Sequence, residues 1–301
     1  MGKNYNTVFE TLVNKTEEYI RNAGLKSIIL GISGGIDSTV VAAICSVVGE
    51  RIGIPLIGRS LPTKFNKIEE VTTAKLVGKA FCNDFEEVSI KNPYESFLSL
   101  LDRVECGTTA IANGNIQARL RMIYLYNLAS IHGGLVMDTD NLTENNLGYF
   151  TIHGDVGDFK PIGGLWKTEV FELAKWLYSY YLNHVYTKPH EQARAIAASL
   201  ELKPTAGLGI TDSDLDEIGA DSYEQVDTVL KEILSWREFV KDRYDNFEDL
   251  KKAFWKTIDN AELISPETSS NGVPWSIYKN IVNKHFSSEF KRLKQPVIKL
   301  S

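Results

Sequence analysis

Three cysteines, Cys45, Cys82 and Cys106, are too few and too scattered in 301 residues to frame a disulfide scaffold, and none stands in a Cys-x-x-Cys pair. The chain therefore reads as one made for a reducing compartment. Nowhere does it approach the ~18 consecutive apolar residues that a membrane span needs. The N-terminal stretch MGKNYNTVFETLVNK has no apolar centre of the signal-peptide kind. A basic excess is also missing: the net charge is -6 and the pI near 5.5, which argues against nucleic-acid and membrane-surface binding. The expectation is a cytoplasmic protein with a small-molecule partner, no nucleic acid and no membrane. The sequons at Asn14 and Asn141 are then chance matches, since glycosylation requires the secretory path.

What the chain does have is an ordinary globular composition, 43% hydrophobic and 24% charged, enough for one large α/β domain or two small ones. Residues 8–22 carry Val8, Phe9, Leu12, Val13, Tyr19 and Ile20 at helical spacing, and the apolar run 27–32 follows as a buried strand. Val40, Val41, Ile44, Val47 and Val48 predict a second helix and 52–57 a second strand. The alternation continues with a helix over 66–82, a weak strand over 86–90, a helix over 115–131 and a strand over 135–137. Alternating elements with near-continuous apolar strands imply a parallel, doubly wound α/β sheet covered on both faces. From about residue 167 the pattern is mostly helical, with a Gly/Asp-rich loop over 205–222. We expect a single domain, 1–301, with an α/β core over 1–200 and a loop and helical C-terminal portion with a basic tail over 201–301.

The segment Gly31-Ile32-Ser33-Gly34-Gly35-Ile36-Asp37-Ser38 leads from the first strand into a helix. In a doubly wound sheet, ligands bind outside the carboxyl ends of the strands, where such loops lie. Its glycines permit close approach of the backbone, and the N–H groups of the following helix form a cradle for anionic oxygens. Ser33, Ser38 and Thr39 would add hydroxyl donors. Asp37 would repel phosphate, so its place in the loop makes sense as a Mg²⁺ ligand, an ion held by one or two carboxylates plus phosphate oxygens. A tight turn with an N-terminal cap is the plainer reading of the same residues. A second candidate, Gly53 to Ser60, nearly fits a kinase-type phosphate loop, but Arg59 stands in place of the lysine and the middle of the segment reads as strand. On the helix 115–131, Arg119 shares a stripe with Ile116, Leu120 and Ile123, which predicts an inward guanidinium in need of an anionic partner.

The Ser-Gly-Gly-x-Asp-Ser signature resembles the ATP pyrophosphatase superfamily, and the match narrows further along the chain. Residues 115–122 (NIQARLRM), 138–144 (DTDNLTE), 148–155 (GYFTIHGD), Pro161 with Lys167-Thr168, Pro204-Thr205-Ala206, and Lys291-Arg292 with Pro296 are similar, in order, to the motifs of NAD synthetases. The resemblance implies a Rossmann-like, adenine nucleotide alpha hydrolase-like fold, a homodimer, and ATP with Mg²⁺. It implies amidation of nicotinic acid adenine dinucleotide (deamido-NAD) to NAD through an adenylated carboxylate, releasing AMP and pyrophosphate.

By that resemblance Gly31 to Ser38, Thr139, Lys167 and Thr205 contact ATP, Asp37 and Glu144 hold the metal, and Asp37 and Lys167 serve catalysis. Arg119, Asp158 and Lys291 contact the dinucleotide. Lys167 opens its helix, where a cation opposes the helix dipole, and such a local cost points to a local use. The C-terminal stretch 284–299 holds five Lys and Arg residues against Glu289 alone, which as a bare sequence reads as a solvated tail. Three positions depart from the pattern: Asp138 replaces a usual glycine, Ile152 stands where some relatives carry lysine, and Gly207 replaces a usual acid. Glutamine-using relatives carry an added glutaminase domain with a nucleophilic cysteine. Residues 1–26 are too few for one, so free ammonia, or ammonia from a separate subunit, is the expected donor. The alternatives are another amide-forming or thiolating member of the superfamily, and a noncatalytic ATP- or AMP-sensing module. Thiolation would want cysteine pairs and a basic surface, and sensing alone would not require two metal carboxylates.

Overall fold

A computed structural model of the chain describes residues 3–104, 109–184, 189–205, 213–244 and 246–292. It divides into two compact units: residues 1–142 with 150–213, and residues 143–149 with 214–301. The helical segments of the first unit are α1 (Tyr5–Asn22), α2 (Ile36–Ile52), α3 (Ile68–Phe81), α4 (Lys91–Val104), α5 (Ala110–His132), α7 (Lys167–His184) and α8 (Pro189–Glu201). Its strands are β1 (Ser27–Gly31), β2 (Leu56–Ser60), β3 (Asp84–Glu87) and β4 (Gly134–Val136). The short α6 (Leu142–Leu147) begins at the end of this unit's first segment. The second unit holds α9 (Asp214–Ile218), α10 (Tyr223–Val240), α11 (Phe247–Ile264), α12 (Trp275–Ser287) and α13 (Glu289–Arg292).

The four strands form one parallel sheet in the order β3-β2-β1-β4. The α/β, doubly wound expectation is met, because the strand run β1-β2-β3 grows to one side and β4 lies on the other. The continuous apolar sequence of β1 is explained by its two covered faces. Ile28 and Leu30 point into a core built with α1, α2, α3, α7 and α8, whereas Ile29 points into a second core with Met122, Leu125 and Ala129 of α5 and Val136 of β4. β2 and β3 begin four and two residues away from their predicted starts. The predicted second strand begins at Ile52, which is the last residue of α2, and runs through the cap Gly53, whose φ of +71° lies in the left-handed region, and the connection 54–55. α9 occupies part of the segment expected to be loop; residues 206–212, with Gly207, lie outside the described residues.

In the second unit Val226, Val229, Leu230 and Ile233 of α10 face Ile281 and Val282 of α12, all fully buried. Within this core His285 is also fully buried. One ring nitrogen, Nδ1, lies 2.9 Å from the Asn146 carbonyl and the other, Nε2, 3.0 Å from Arg237 Nη1. Burial, then the charges of Arg292 and Arg237, push its pKa down to about 4. An unfolded histidine near 6.5 binds a proton that the folded one refuses, so unfolding takes up protons between those values and stability falls as pH drops through that window. Denaturant titrations should lose about 3 kcal/mol between pH 7 and pH 4 from this group, and His285→Gln should remove that part of the slope. An unchanged pH profile in the variant would discard the assignment.

Candidate active site

The parallel register places the carboxyl ends of β1 and β4 side by side. Ile29 pairs with Val136, and the Met137 N–H donates to the Ile29 carbonyl at 2.8 Å. The loop after β1 and the segment after β4 therefore meet at the switch in strand order, the place where open α/β sheets bind ligands.

In the loop after β1, Gly34 has φ +87°, and a Cβ there would stand 2.5 Å from the Glu70 carbonyl oxygen and 2.8 Å from the Ala74 nitrogen of α3. Both the torsion and the space require glycine. Gly35 caps α2 with an extended backbone, and its carbonyl accepts from Ser38 Oγ at 3.0 Å and Thr39 Oγ1 at 2.9 Å. Ser33 Oγ lies 2.9 Å from Ser38 Oγ and accepts from the Gly35 N–H. Thr39 is not a ligand donor as expected. It is fully buried, with its hydroxyl 2.7 Å from Ser199 Oγ of α8, because its position on α2 faces that helix.

Asp37 stands in the first turn of α2 with its side chain 16% exposed. One carboxylate oxygen accepts from Asn141 Nδ2 at 2.8 Å and the other from Lys167 Nζ at 2.5 Å. Lys167 opens α7 as the sequence reading expected, and its side chain is 2% exposed. A buried ammonium at a helix N-terminus is held against both desolvation and the dipole, and Asp37 supplies the compensating charge. An ionised carboxylate has about four acceptor sites. Two protein donors therefore leave Asp37 room for a hard cation, so the donor set fits Mg²⁺. Among the described residues no three His, Cys, Asp or Glu side chains gather into a metal cluster. Thr139, half-buried, lies on the segment after β4. Thr205 donates from Oγ1 to Glu70 Oε1 at 2.6 Å. In the second unit Glu144 is half-buried in the first turn of α6, and Lys291 donates from Nζ to the Gly148 carbonyl at 2.7 Å. The expected tail is in part structural: Arg292 pairs with Glu289, which also pairs with Arg237, while residues 293–301 lie outside the described residues.

Arg119 corrects the sequence reading. It is exposed, its Nη2 3.4 Å from the Ile152 carbonyl, and Ile123 on the same face is 67% exposed. The face of α5 that is turned inward holds Gln117, Ala118, Met122, Leu125 and Ala129. The half-buried arginine is Arg121, whose Nε donates to the Leu61 carbonyl at 3.1 Å, and burial holds its pKa down. Asp158 is exposed, and both of its carboxylate oxygens serve its own unit, accepting from Tyr126 Oη and the Val136 N–H at 2.9 Å each. The departure at Asp138 has a local cause. Its buried carboxylate accepts from the Asp140 and Gly157 N–H groups and meets Lys160 at 3.2 Å, tying the strand-end loop together. The competing segment Gly53 to Ser60 is no phosphate loop. Leu56 to Ser60 is β2, and the Arg59 guanidinium is committed to Asp84 at 2.9 Å.

Gly34→Ala should cost at least about 2 kcal/mol in denaturant unfolding, from the left-handed torsion and the backbone clash, and should abolish ATP binding by calorimetry. Retained stability with retained binding would show that the loop yields easily.

The NAD synthase family model matches residues 8–295. A curated relative from Methanococcoides burtonii, named NH(3)-dependent NAD(+) synthetase, is 36% identical over 218 residues, covering 72% of this chain and 75% of the relative. Its namesake in Thermoplasma acidophilum is 34% identical over 271 residues, covering 89% of this chain and 97% of the relative. Among solved structures, an NMN synthetase from Francisella tularensis superposes with TM-score 0.72 at 25% identity, covering 99% of this chain and 100% of that one. The fold of an NH3-dependent NAD synthetase from Campylobacter jejuni matches with TM-score 0.67 at 22% identity, with coverage of 99% and 100%. With the loop, the paired carboxylate and lysine, and the sheet order already in place, a family match over nearly its whole length means that the chain belongs to the NAD synthase family.

Proposed function

We propose that this protein amidates the nicotinate carboxylate of deamido-NAD to give NAD, with ATP as the activating co-substrate and ammonia as the nitrogen donor. The observation that carries the reading is the pairing of Asp37 with the buried Lys167 beside the loop at the head of α2. A loop built for phosphate, with a carboxylate able to share a divalent cation and an ammonium able to reach a phosphate, suits cleavage between the α and β phosphates.

Chemically, direct loss of hydroxide from a carboxylate is prohibitive. A carboxylate oxygen attacks the α phosphorus, the bond to the bridging oxygen breaks, and pyrophosphate leaves toward the α2 N-terminus. Ammonia then attacks the acyl carbon, AMP departs with the electron pair of the acyl C–O bond, and one proton is released. No protein nucleophile is required, and the chain acts by positioning and charge stabilisation. The Gly34 to Ser38 backbone faces the departing pyrophosphate, Lys167 exchanges Asp37 for phosphate charge, and Asn141 keeps Asp37 oriented. Asp37 would hold Mg²⁺, which neutralises charge on the polyphosphate when bound, and Glu144 of the second unit is the other position that the family's motif assigns to a metal ligand. Thr139 and Thr205 complete the ATP contacts, and Arg119, Asp158 and Lys291 those of the dinucleotide. No helix among the described residues is long and apolar enough to cross a membrane; the cytoplasmic location belongs to the proposal.

A homodimer completes the proposal. Ile123 and Ile131 on the outward face of α5 are each 67% exposed, with Tyr126 between them, an apolar stripe that a second copy would cover. Arg119 lies on the same face, one turn before Ile123. Sedimentation should give a dimer that Ile123→Asp converts to monomer; a monomeric native protein would dispose of this arrangement.

The deciding assay supplies ATP, Mg²⁺, ammonium and either deamido-NAD or nicotinic acid mononucleotide, because the Francisella tularensis neighbour is an NMN synthetase and Ile152 departs from the lysine of some relatives. NAD, AMP and pyrophosphate in equal amounts are expected from the dinucleotide. Turnover of the mononucleotide alone would transfer the assignment to that substrate, and ADP with orthophosphate would overturn the chemistry. Lys167→Met should lower kcat about 10²- to 10³-fold, the usual loss for one preorganised donor to a developing anion.

A further inference from the structure

Arg121 is a half-buried guanidinium that meets no carboxylate within ion-pair distance among the described residues. A charge held in that way is costly. Burial pushes its pKa down, and Asp155 and then Glu70 offset part of that from a distance. What the guanidinium grips is one segment of chain. Its Nε donates to the Leu61 carbonyl at 3.1 Å and its Nη2 to Asn66 Oδ1 at 3.4 Å, so a single edge of the group spans both ends of residues 61–66, which leave the carboxyl end of β2. Gln117, one turn earlier on the same face of α5, accepts from Thr63 Oγ1 at 2.7 Å in the middle of that segment. Two successive turns of α5 therefore fasten it.

Asn66 passes the constraint on. Its Oδ1 also accepts from the Thr63 N–H at 3.0 Å, and its Nδ2 donates at 3.1 Å to Glu70 Oε2 in the first turn of α3. Glu70 Oε2 accepts as well from the Lys67 N–H at 3.2 Å, which fixes the start of that helix. The Glu70 carbonyl oxygen is in turn what a Cβ on Gly34 would strike, at 2.5 Å, so the loop after β1 packs directly on the turn that Asn66 holds. We propose that Arg121 is a positioning residue of the ATP site, which grips the segment after β2 and so sets the first turn of α3 where the Gly31 to Ser38 loop packs against it. It acts through that segment and not on the nucleotide. The inference rests on the assignment of the Gly31 to Ser38 loop to ATP. A lysine cannot take its place, because an ammonium is a point charge on one atom, whereas this grip needs two donors at fixed spacing.

The full chain is assayed with ATP, Mg²⁺, ammonium and deamido-NAD, with ATP binding followed by calorimetry and folding by denaturant titration. The variants are Arg121→Lys, Arg121→Met, Asn66→Ala and the double variant Arg121→Lys with Asn66→Ala. Asn66→Ala leaves the guanidinium in place, so it decides the matter if the Arg121 variants do not fold. The expected result is a KM for ATP raised about tenfold in each single variant, with kcat and the KM for the dinucleotide within about twofold of wild type. Arg121→Lys should be as impaired as Arg121→Met, and the double variant no worse than about tenfold, since both changes break one link. A wild-type KM for ATP in Arg121→Lys shows that charge alone suffices and overturns the grip. Wild-type KM in folded Asn66→Ala, or an additive, roughly hundredfold, double variant, overturns the route through Asn66. A raised KM for the dinucleotide alone, or a lowered kcat with KM unchanged, would make Arg121 a contact of substrate or reacting atoms and overturn the positioning role. Absence of ATP binding by the wild-type protein is a separate outcome, which fails the ATP assignment of the loop itself.

Discussion

Parallel pairing of β1 with both β2 and β4 is the constraint from which the first unit follows. Parallel strands require helical crossovers, and crossovers on both faces require a central strand such as β1 to be apolar throughout, whereas the edge strand β3 is exposed and acidic. A sheet that runs β1-β2-β3 to one side and places β4 on the other leaves its loops diverging at the carboxyl edge between β1 and β4. Everything proposed for ATP in this unit hangs on that edge. The Gly31 to Ser38 loop leaves β1, Thr139 and Asn141 follow β4, and Lys167 reaches Asp37 from α7, which packs against α2.

Electrostatics there are arranged before any ligand arrives. The N–H groups at the start of α2 favour anions, yet the first turn carries Asp37, and the buried Lys167 at the start of α7 is itself misplaced with respect to its own helix. Each offsets the other. A pair of this kind adds little net stability, because desolvation consumes most of the attraction. In the proposed reaction its use is a partner exchange: polyphosphate would offer Lys167 more negative charge than Asp37 does, and the carboxylate so released would be open to a divalent cation. Where Gly34 meets α3, the Glu70 carbonyl closes against the loop and the Glu70 carboxylate accepts from Thr205.

Much of this was legible in advance, and the failures share a cause. Alternating apolar strands and helices lead to the doubly wound sheet, and the Gly-rich segment between a strand and a helix leads to the loop, because both depend on local torsion and local periodicity. Arg119 was read as inward because α5 is apolar on two faces: one packs on β1 and β4, and the other leaves Ile123 and Ile131 exposed. Periodicity finds a stripe but not the direction in which it points. Thr39 differs for the same reason, since a hydroxyl in the first turn of a helix faces ligand or a neighbouring helix, here α8, according to how the helices pack. β2 starts later than expected because Ile52, the last residue of α2, and Ile54 in the connection after it are as apolar as the strand that follows. Of the residues the sequence passed over, Glu70 had a faint signal, an acid near the start of a predicted helix, but nothing local marks its bond to Thr205.

By itself, then, the sequence determined the alternation of elements, the position of the phosphate-type loop with its glycine-only torsion, and the order of motifs that places the chain in its family. These are properties of nearest neighbours and of spacing along one chain. Tertiary structure alone decided that Asp37 is met by Lys167 and Asn141, that Arg119 faces outward while Arg121 does not, and that Thr205 gives its proton to Glu70. Each of those facts joins or orients segments far apart in sequence. The direction of a side chain toward such a partner is set by how helices pack on the sheet, and no residue carries that information locally.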